Sequence, residues 1–403
     1  VNQAETDSML DMLKAAGANI VEFDEKADIY IVNTCSVTNI ADKKSRQMLH
    51  RARKMNPDGI VIAAGCYVQS AREILEQDEA IDIVISNNKK KSITEIVNDY
   101  INVRNNGKNA PGKDHEAMEY FVDISRETEY EEMGGHVPVG HTRAYVKIQD
   151  GCNQFCSYCI IPYVRGRIRS RSQEAILAEV SELAEAGIKE VVLTGIHISS
   201  YGKDKNNEGA LIELIEAISK IKGIKRIRLG SLEPGIITEE FVERISSNSK
   251  VCPHFHLSLQ SGCDSVLKRM NRKYTCKQYF EKCDMLRKAY KSPALTTDVI
   301  VGFPGETEEE FAETVRYLTE LNLYEMHIFK YSPRKGTVAA AMKEQVAPEI
   351  KNERSDVLLK LAHDNKTAYE AQFEGCELEV LVEEVVKLSL IHISEPTRHS
   401  LIS

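Results

Sequence analysis

The sequence has 403 residues, 42% of them hydrophobic, and a formal net charge of −9. That length calls for two or three globular domains with real cores. No apolar stretch approaches the roughly 20 residues of a membrane span and no signal peptide leads the chain, so ten cysteines point to a reducing cytoplasm, where clustered thiols hold metal rather than disulfides.

The chain enters on a helical pattern, Met9, Leu10, Met12 and Leu13, which ends at Gly17, so the sequence starts within an element. Residues 27–35 and 59–66 are apolar runs that read as buried parallel strands, each closed by a cysteine, Cys35 and Cys66. A right-handed strand-helix-strand crossover brings both cysteines to one carboxyl edge, where open sheets bind ligands. Either they are ligands there, or they are small buried core residues. Between them, residues 41–55 carry Lys43, Lys44, Arg46, Arg51, Arg53 and Lys54 against the single acid Asp42. Net negative charge weighs against a nucleic-acid partner, but this helix concentrates positive charge locally; it is either a solvated face or a phosphate contact. A third strand over 81–86 and a helix over 92–103 complete an α/β unit near residue 105. Turn-rich residues 105–112 form a linker, and acidic residues 113–140 form an extended bridge.

The densest chemistry follows an extended run, in Cys152-Asn-Gln-Phe-Cys156-Ser-Tyr-Cys159. Three soft sulfur donors in one turn favour zinc, copper(I) or an iron-sulfur cluster over hard cations. With no fourth Cys or His nearby, a four-iron cluster would keep one iron open; a zinc site closed by a distant fourth ligand is the alternative. Arg165, Arg167, Arg169 and Arg171 come next. In an extended chain their period of two puts all four on one face, suited to phosphate or carboxylate.

From residue 141 the pattern becomes strand, loop and helix, repeated six times, with strands centred on Val146, Val192, Ile227, Leu257, Val299 and Ile328. Ser172, Thr238 and Thr307 precede acids as helix caps. Six such units predict a closed or incomplete parallel barrel, whose reactive groups gather in the loops after the strands. Those loops hold the three cysteines, Gly195, Glu233, Gln260 and Asp298, together with lone histidines such as His197 and His327, which read as ordinary polar residues. Cys252, Cys263, Cys276, Cys283 and Cys376 read as free thiols. A helix over 347–373 leads to Leu378, Val380 and Val382, which alternate like a half-buried strand. Residues 388–403 break the pattern and read as a non-native tail.

The string CNQFCSYC resembles the C-x3-C-x2-C signature of radical S-adenosylmethionine enzymes. With Asn33-Thr-Cys35-Ser-Val-Thr-Asn, Ala64-Gly-Cys66, the arginine run and Val301-Gly-Phe-Pro-Gly-Glu-Thr307, the chain resembles a radical S-adenosylmethionine methylthiotransferase over about residues 1–387. The Ser-Val-Thr-Asn stretch and Ile168 are most similar to the branch acting on N6-threonylcarbamoyladenosine at tRNA position 37; sister branches act on isopentenyladenosine or a ribosomal-protein aspartate. A non-catalytic, metal-stabilised RNA-binding protein is the reading from another class.

The resemblance implies an α/β protein. Residues 1–105 would form a Rossmann-like methylthiotransferase domain, 106–140 a linker, 141–370 a partial (β/α)6 radical barrel, and 371–387 the start of a TRAM-like RNA-binding β-barrel. It implies two 4Fe-4S clusters, one on Cys152, Cys156 and Cys159 and an auxiliary one on Cys35, Cys66 and a third cysteine expected upstream of Val1, so that the auxiliary site is incomplete here. S-adenosylmethionine would contact Tyr158, Gly195, Glu233, Gln260 and Asp298. The anticodon arm of tRNA would contact Lys43, Lys44, Arg46, Arg165, Arg167, Arg169 and Arg171. A reducing electron donor, no membrane and a monomer complete the expectation.

Overall fold

A computed structural model of the chain describes residues 1–36, 38–105, 120–135, 137 and 142–382. The first unit follows from strands apolar on both faces. Its elements are α1 (Asn2–Ala15), β1 (Ile29–Thr34), α2 (Asn39–Met55), β2 (Ile60–Gly65), α3 (Cys66–Glu76), β3 (Ile83–Ile85) and α4 (Ile93–Asn105), and its parallel sheet has the order β1-β2-β3. Successive strand residues point to opposite faces. Ile60, Ile62, Ala64, Ile83 and Ile85 therefore pack against Met9 and Leu13 of α1 and against α4, while Tyr30, Val32, Val61, Ala63 and Val84 pack against Leu49 and Ala52 of α2 and Val68 and Leu75 of α3. The Thr38 hydroxyl caps α2 by accepting from the Ala41 amide.

Beyond the bridge, of which residues 120–135 and 137 are described, come β4 (Arg143–Asp150), α5 (Ile161–Val164), β5 (Arg169–Ser170), α6 (Gln173–Glu185), β6 (Glu190–Gly195), α7 (Ala210–Ser219), β7 (Arg226–Leu229), α8 (Glu239–Ser246) and β8 (His254–His256). Then follow α9 (Asp264–Arg269), α10 (Cys276–Ala289), β9 (Ala294–Val301), α11 (Glu308–Leu321), β10 (Glu325–Lys330) and α12 (Pro348–Ala371). Two ladders, β5-β4-β6-β7 and β8-β9-β10, are joined by parallel bridges Ile227 to Val251 and Leu232 to Leu257. The six parallel strands β4-β6-β7-β8-β9-β10 thus form one curled half-barrel sheet. All six lie where the sequence puts them, although Leu257 sits one residue past β8.

One large core joins Val146, Ile148, Val191, Leu193, Phe255, Val299 and Met326 from the strands to Val180, Leu183, Ile215, Ile245, Leu286, Leu318 and Leu358 from the helices. The Ser172, Thr238 and Thr307 hydroxyls each cap their helix. A capping box of Thr275 with Gln278, which the sequence reading passes over, starts α10.

The expected strand at 378–382 is absent. Those residues are irregular, and Leu378, Val380 and Val382 are largely exposed, because no strand among the described residues takes their hydrogen bonds and covers one face. The linker 106–119, most of 136–141 and the tail 388–403 lie outside the described residues. Among the described residues no helix is long and apolar enough to cross a membrane.

Candidate functional site

Cysteines 152, 156 and 159 occupy the loop between the carboxyl end of β4 and α5. Backbone demands explain the local sequence. Gly151 has φ +71, and a Cβ there would lie 1.8 Å from the Arg167 carbonyl oxygen, so only glycine lets the loop fold back against the arginine run. Phe155 also takes positive φ, and the Asn271 side chain braces this turn by donating to the Phe155 carbonyl at 2.9 Å. Donors converge on the sulfurs. The Gln154 amide is 3.4 Å from Cys152 Sγ, and Arg272 Nη1 is 3.1 Å from Cys156 Sγ. Burial pushes the Cys152 thiol up to about 11 and the Cys159 thiol up to about 12. Loading a metal here would release protons, since thiolates are the ligands.

Around this loop the predicted polar residues divide. Glu233 accepts from Gln154 Nε2 at 2.6 Å and lies 3.2 Å from His197 Nε2. Burial raises its carboxyl, but His197 and Arg272 outweigh burial and hold it below the usual carboxylate range. Gly195 ends β6 against Gln149, where a Cβ would stand 2.9 Å from a carbonyl oxygen. Tyr158 leans on the Met270, Phe303 and Tyr331 cluster, and burial lifts its phenol well above the ordinary value. Gln260 takes φ +76, its amide donating to the Asp298 carbonyl. The Asp298 carboxylate faces His256 instead of the cysteine loop. Arg272 escaped the sequence reading because it lies 116 residues from Cys156 and belongs to no motif.

Cys35 and Cys66 do share an edge. Thr34 and Gly65 are register partners, and each cysteine is the next residue. Glycine is required at position 65, where φ is +99 and a Cβ would lie only 2.5 Å from the Thr34 carbonyl oxygen. Cys66 packs with Ile160 and Val164 directly after the three-cysteine loop, so the two thiol sites approach each other across α3 and α5. On the opposite flank, Arg334 in the loop after β10 reaches Ser36 at 2.8 Å, Asn39 at 2.7 Å and Asp42 at 2.6 Å, tying β1 and α2 to the half barrel.

The arginine run requires correction. It is extended only at Arg169–Ser170 (β5): Arg165 closes the helical turn Ile161–Val164 and Gly166 has φ +72, which breaks the alternation. Arg165 is buried, with Nε 3.0 Å from Cys66 Sγ and its guanidinium on Glu5 and Asp150. Arg169 is also buried, and Arg171 is held by Glu132 and Glu179. These three arginines bind the protein's own groups and present no face to RNA. Arg167 alone of the four is exposed, lying 4.5 Å from the Phe155 ring centre. Lys43, Lys44 and Arg46 do face solvent on α2 and form no ion pair among the described residues.

The fold and the thiol geometry agree with known proteins. Residues 146–318 match the Radical SAM superfamily, and residues 1–86 match the Uncharacterized protein family UPF0004. The chain is 40% identical over 387 residues to the threonylcarbamoyladenosine tRNA methylthiotransferase MtaB of Bacillus subtilis, covering 96% of this chain and 83% of that protein. The protein of the same name from Aquifex aeolicus is 38% identical, covering 96% and 92%. A tRNA-2-methylthio-N(6)-dimethylallyladenosine synthase of Thermoanaerobacter pseudethanolicus is 35% identical, covering 99% and 83%. Among solved structures, the radical S-adenosylmethionine methyltransferase TsrM of Kitasatospora setae shares the fold, with a TM-score of 0.57 at 15% identity over 82% of this chain and 73% of that one. On the identity and coverage of these relatives, the chain belongs to the radical S-adenosylmethionine methylthiotransferase family.

Proposed function

We propose that this enzyme adds a methylthio group to carbon 2 of N6-threonylcarbamoyladenosine in tRNA. The observation that carries the reading is the meeting of two thiol sites, Cys66 against Ile160 and Val164 beside the three-cysteine loop. An enzyme that only abstracts hydrogen needs one such site; transferring sulfur calls for a second. The names of relatives at 38–40% identity support threonylcarbamoyladenosine over the dimethylallyl substrate named in relatives at 35–37%.

The donor set fits a 4Fe-4S cluster. Three sulfurs come from one loop, and an amide and a guanidinium point at two of them, as charge on thiolate ligands requires. Such a cluster, when bound, supplies the electron that cleaves S-adenosylmethionine. The chain's own residues then bind and orient. Glu233, held ionised by His197 and Arg272, suits an ammonium group. The missing side chain of Gly195 would give close backbone approach, and Tyr158 and Gln260 would add contacts to the cosubstrate. Cys35 and Cys66 would share an auxiliary cluster, and Arg165, donating to Cys66 Sγ, would offset its negative charge. Lys43, Lys44, Arg46 and Arg167 would hold tRNA phosphates, each contact steepening the salt dependence of binding.

The test is nucleoside mass spectrometry on tRNA from cells lacking the gene. Loss of 2-methylthio-threonylcarbamoyladenosine, restored by the complete gene, is expected. Loss of the dimethylallyl counterpart instead would overturn the substrate while leaving the family in place.

A further inference from the structure

Three ligand-type side chains meet on the last three strands of the half barrel. His256 ends β8, Asp298 lies in β9 and His327 in β10, with ligand atoms all within 4.8 Å of one another. Strand pairing brings them together. His327 is the register partner of Asp298, and His256 pairs with Thr296, the residue on the same face two positions earlier. Phe255, Leu295, Val299 and Met326 point into the helix-packed core, so the alternating His256, Asp298 and His327 project from the other, inner face of the sheet.

One of the three carries an unmet polar demand. His256 Nε2 is buried without a hydrogen-bond partner, 3.3 Å from Asp298 Oδ2. Its other nitrogen, Nδ1, is 3.0 Å from Thr296 Oγ1. In the tautomer whose Nδ1–H donates to that hydroxyl, the lone pair of Nε2 aims at the carboxylate, an arrangement that a cation between them would stabilise. Nitrogen and oxygen ligands each about 2.1 Å from a tetrahedral zinc ion lie about 3.4 Å apart, close to the spacing seen. The His327 ring stacks on His256 with centroids 5.8 Å apart and is exposed.

We propose that His256, Asp298 and His327 bind a divalent transition-metal ion, with Thr296 orienting His256. Two imidazoles and a carboxylate suit zinc or ferrous iron better than magnesium or calcium. They fill three positions and leave a net positive charge, so a fourth position on the inner face stays open to water or an anionic group. This site shares no ligand with the thiol sites, which prefer softer ligation.

The experiment counts metal. Full-length chain with its iron reconstituted anaerobically is exposed to zinc, passed through a desalting column, and assayed for zinc and iron by mass spectrometry. One zinc per chain at unchanged iron is expected. His256→Ala and His327→Ala should each weaken zinc binding by at least about 10-fold, and Thr296→Val should weaken it in the same direction, all with iron retained. Because His327 is exposed and the iron count reports folding, loss of zinc alone cannot be ascribed to misfolding. Equal zinc in the His256→Ala/His327→Ala double variant, no zinc in the parent, or iron lost in step with zinc gained would each overturn the proposal; the second is what a protonated His256 simply paired with Asp298 would give.

Discussion

Replacing Arg165 with Met tests whether the arginine run serves the protein or the RNA. Arg165 donates to both oxygens of Glu5, to Asp150 Oδ2 at 3.1 Å and to Cys66 Sγ at 3.0 Å. Breaking one side of a buried ion pair costs about 3–5 kcal/mol, mostly because a charge is stranded. Here the stranding is partial. Glu5 keeps Lys90 at 2.5 Å and Lys147 at 2.6 Å, and Asp150 keeps Lys147 at 2.6 Å, so two carboxylates still face two ammonium groups. The loss should therefore fall at the low end, about 3 kcal/mol. The contacts span α1, β4 and α5, so the effect should reach both structural units. Urea unfolding of the reconstituted protein, followed by circular dichroism, should show a lower midpoint with little change in slope. At low urea, where the variant is folded, the salt dependence of tRNA binding should match the parent. A loss below about 1 kcal/mol combined with a shallower salt slope would refute the buried reading and return Arg165 to the RNA face.

Arg167→Ala, by contrast, should leave stability within about 0.5 kcal/mol and reduce the magnitude of the salt slope for tRNA binding by about one contact, read by filter binding at several salt concentrations. Gly65→Ala should destabilise by about 2 kcal/mol or more in thermal melts, since it combines a left-handed backbone with a Cβ placed 2.5 Å from the Thr34 carbonyl. Cys156→Ala should lower reconstituted iron by about four atoms per chain and abolish S-adenosylmethionine cleavage. Glu190 joins Arg143, Arg226 and Arg228 across the ends of β4, β6 and β7. Burial raises its carboxyl, but hydrogen bonds from Arg228 and Arg226 prevail and lower it. Its stabilisation is therefore present above the unfolded carboxylate value, about 4.3, and is lost as pH falls through the lower folded value. Glu190→Gln should flatten that part of the stability profile, measured by urea midpoints across acidic pH.

The sequence alone determined what repeats or is local. Apolar runs and caps located the six half-barrel strands and their helices, because burial on one face and capping of an end are written in consecutive residues. The three-cysteine loop was legible for the same reason, and the shared edge of Cys35 and Cys66 followed from the handedness of one crossover. Tertiary structure decided the rest. Arginine at every second position looked like one extended face for phosphate or carboxylate, yet Arg165, Arg169 and Arg171 turn inward because their counter-charges, Glu5, Asp150, Glu132 and Glu179, arrive from elsewhere in the chain. The apolar alternation at 378–382 could not become a strand without a neighbour to pair with. In the sequence His327 reads as an ordinary polar residue, Asp298 as a cosubstrate contact and His256 as nothing in particular; parallel register sets the three side by side. Periodicity fixes which face a residue takes within its element; only packing between elements chooses the partners that make a charge buried, a thiol a neighbour, or three lone side chains a site.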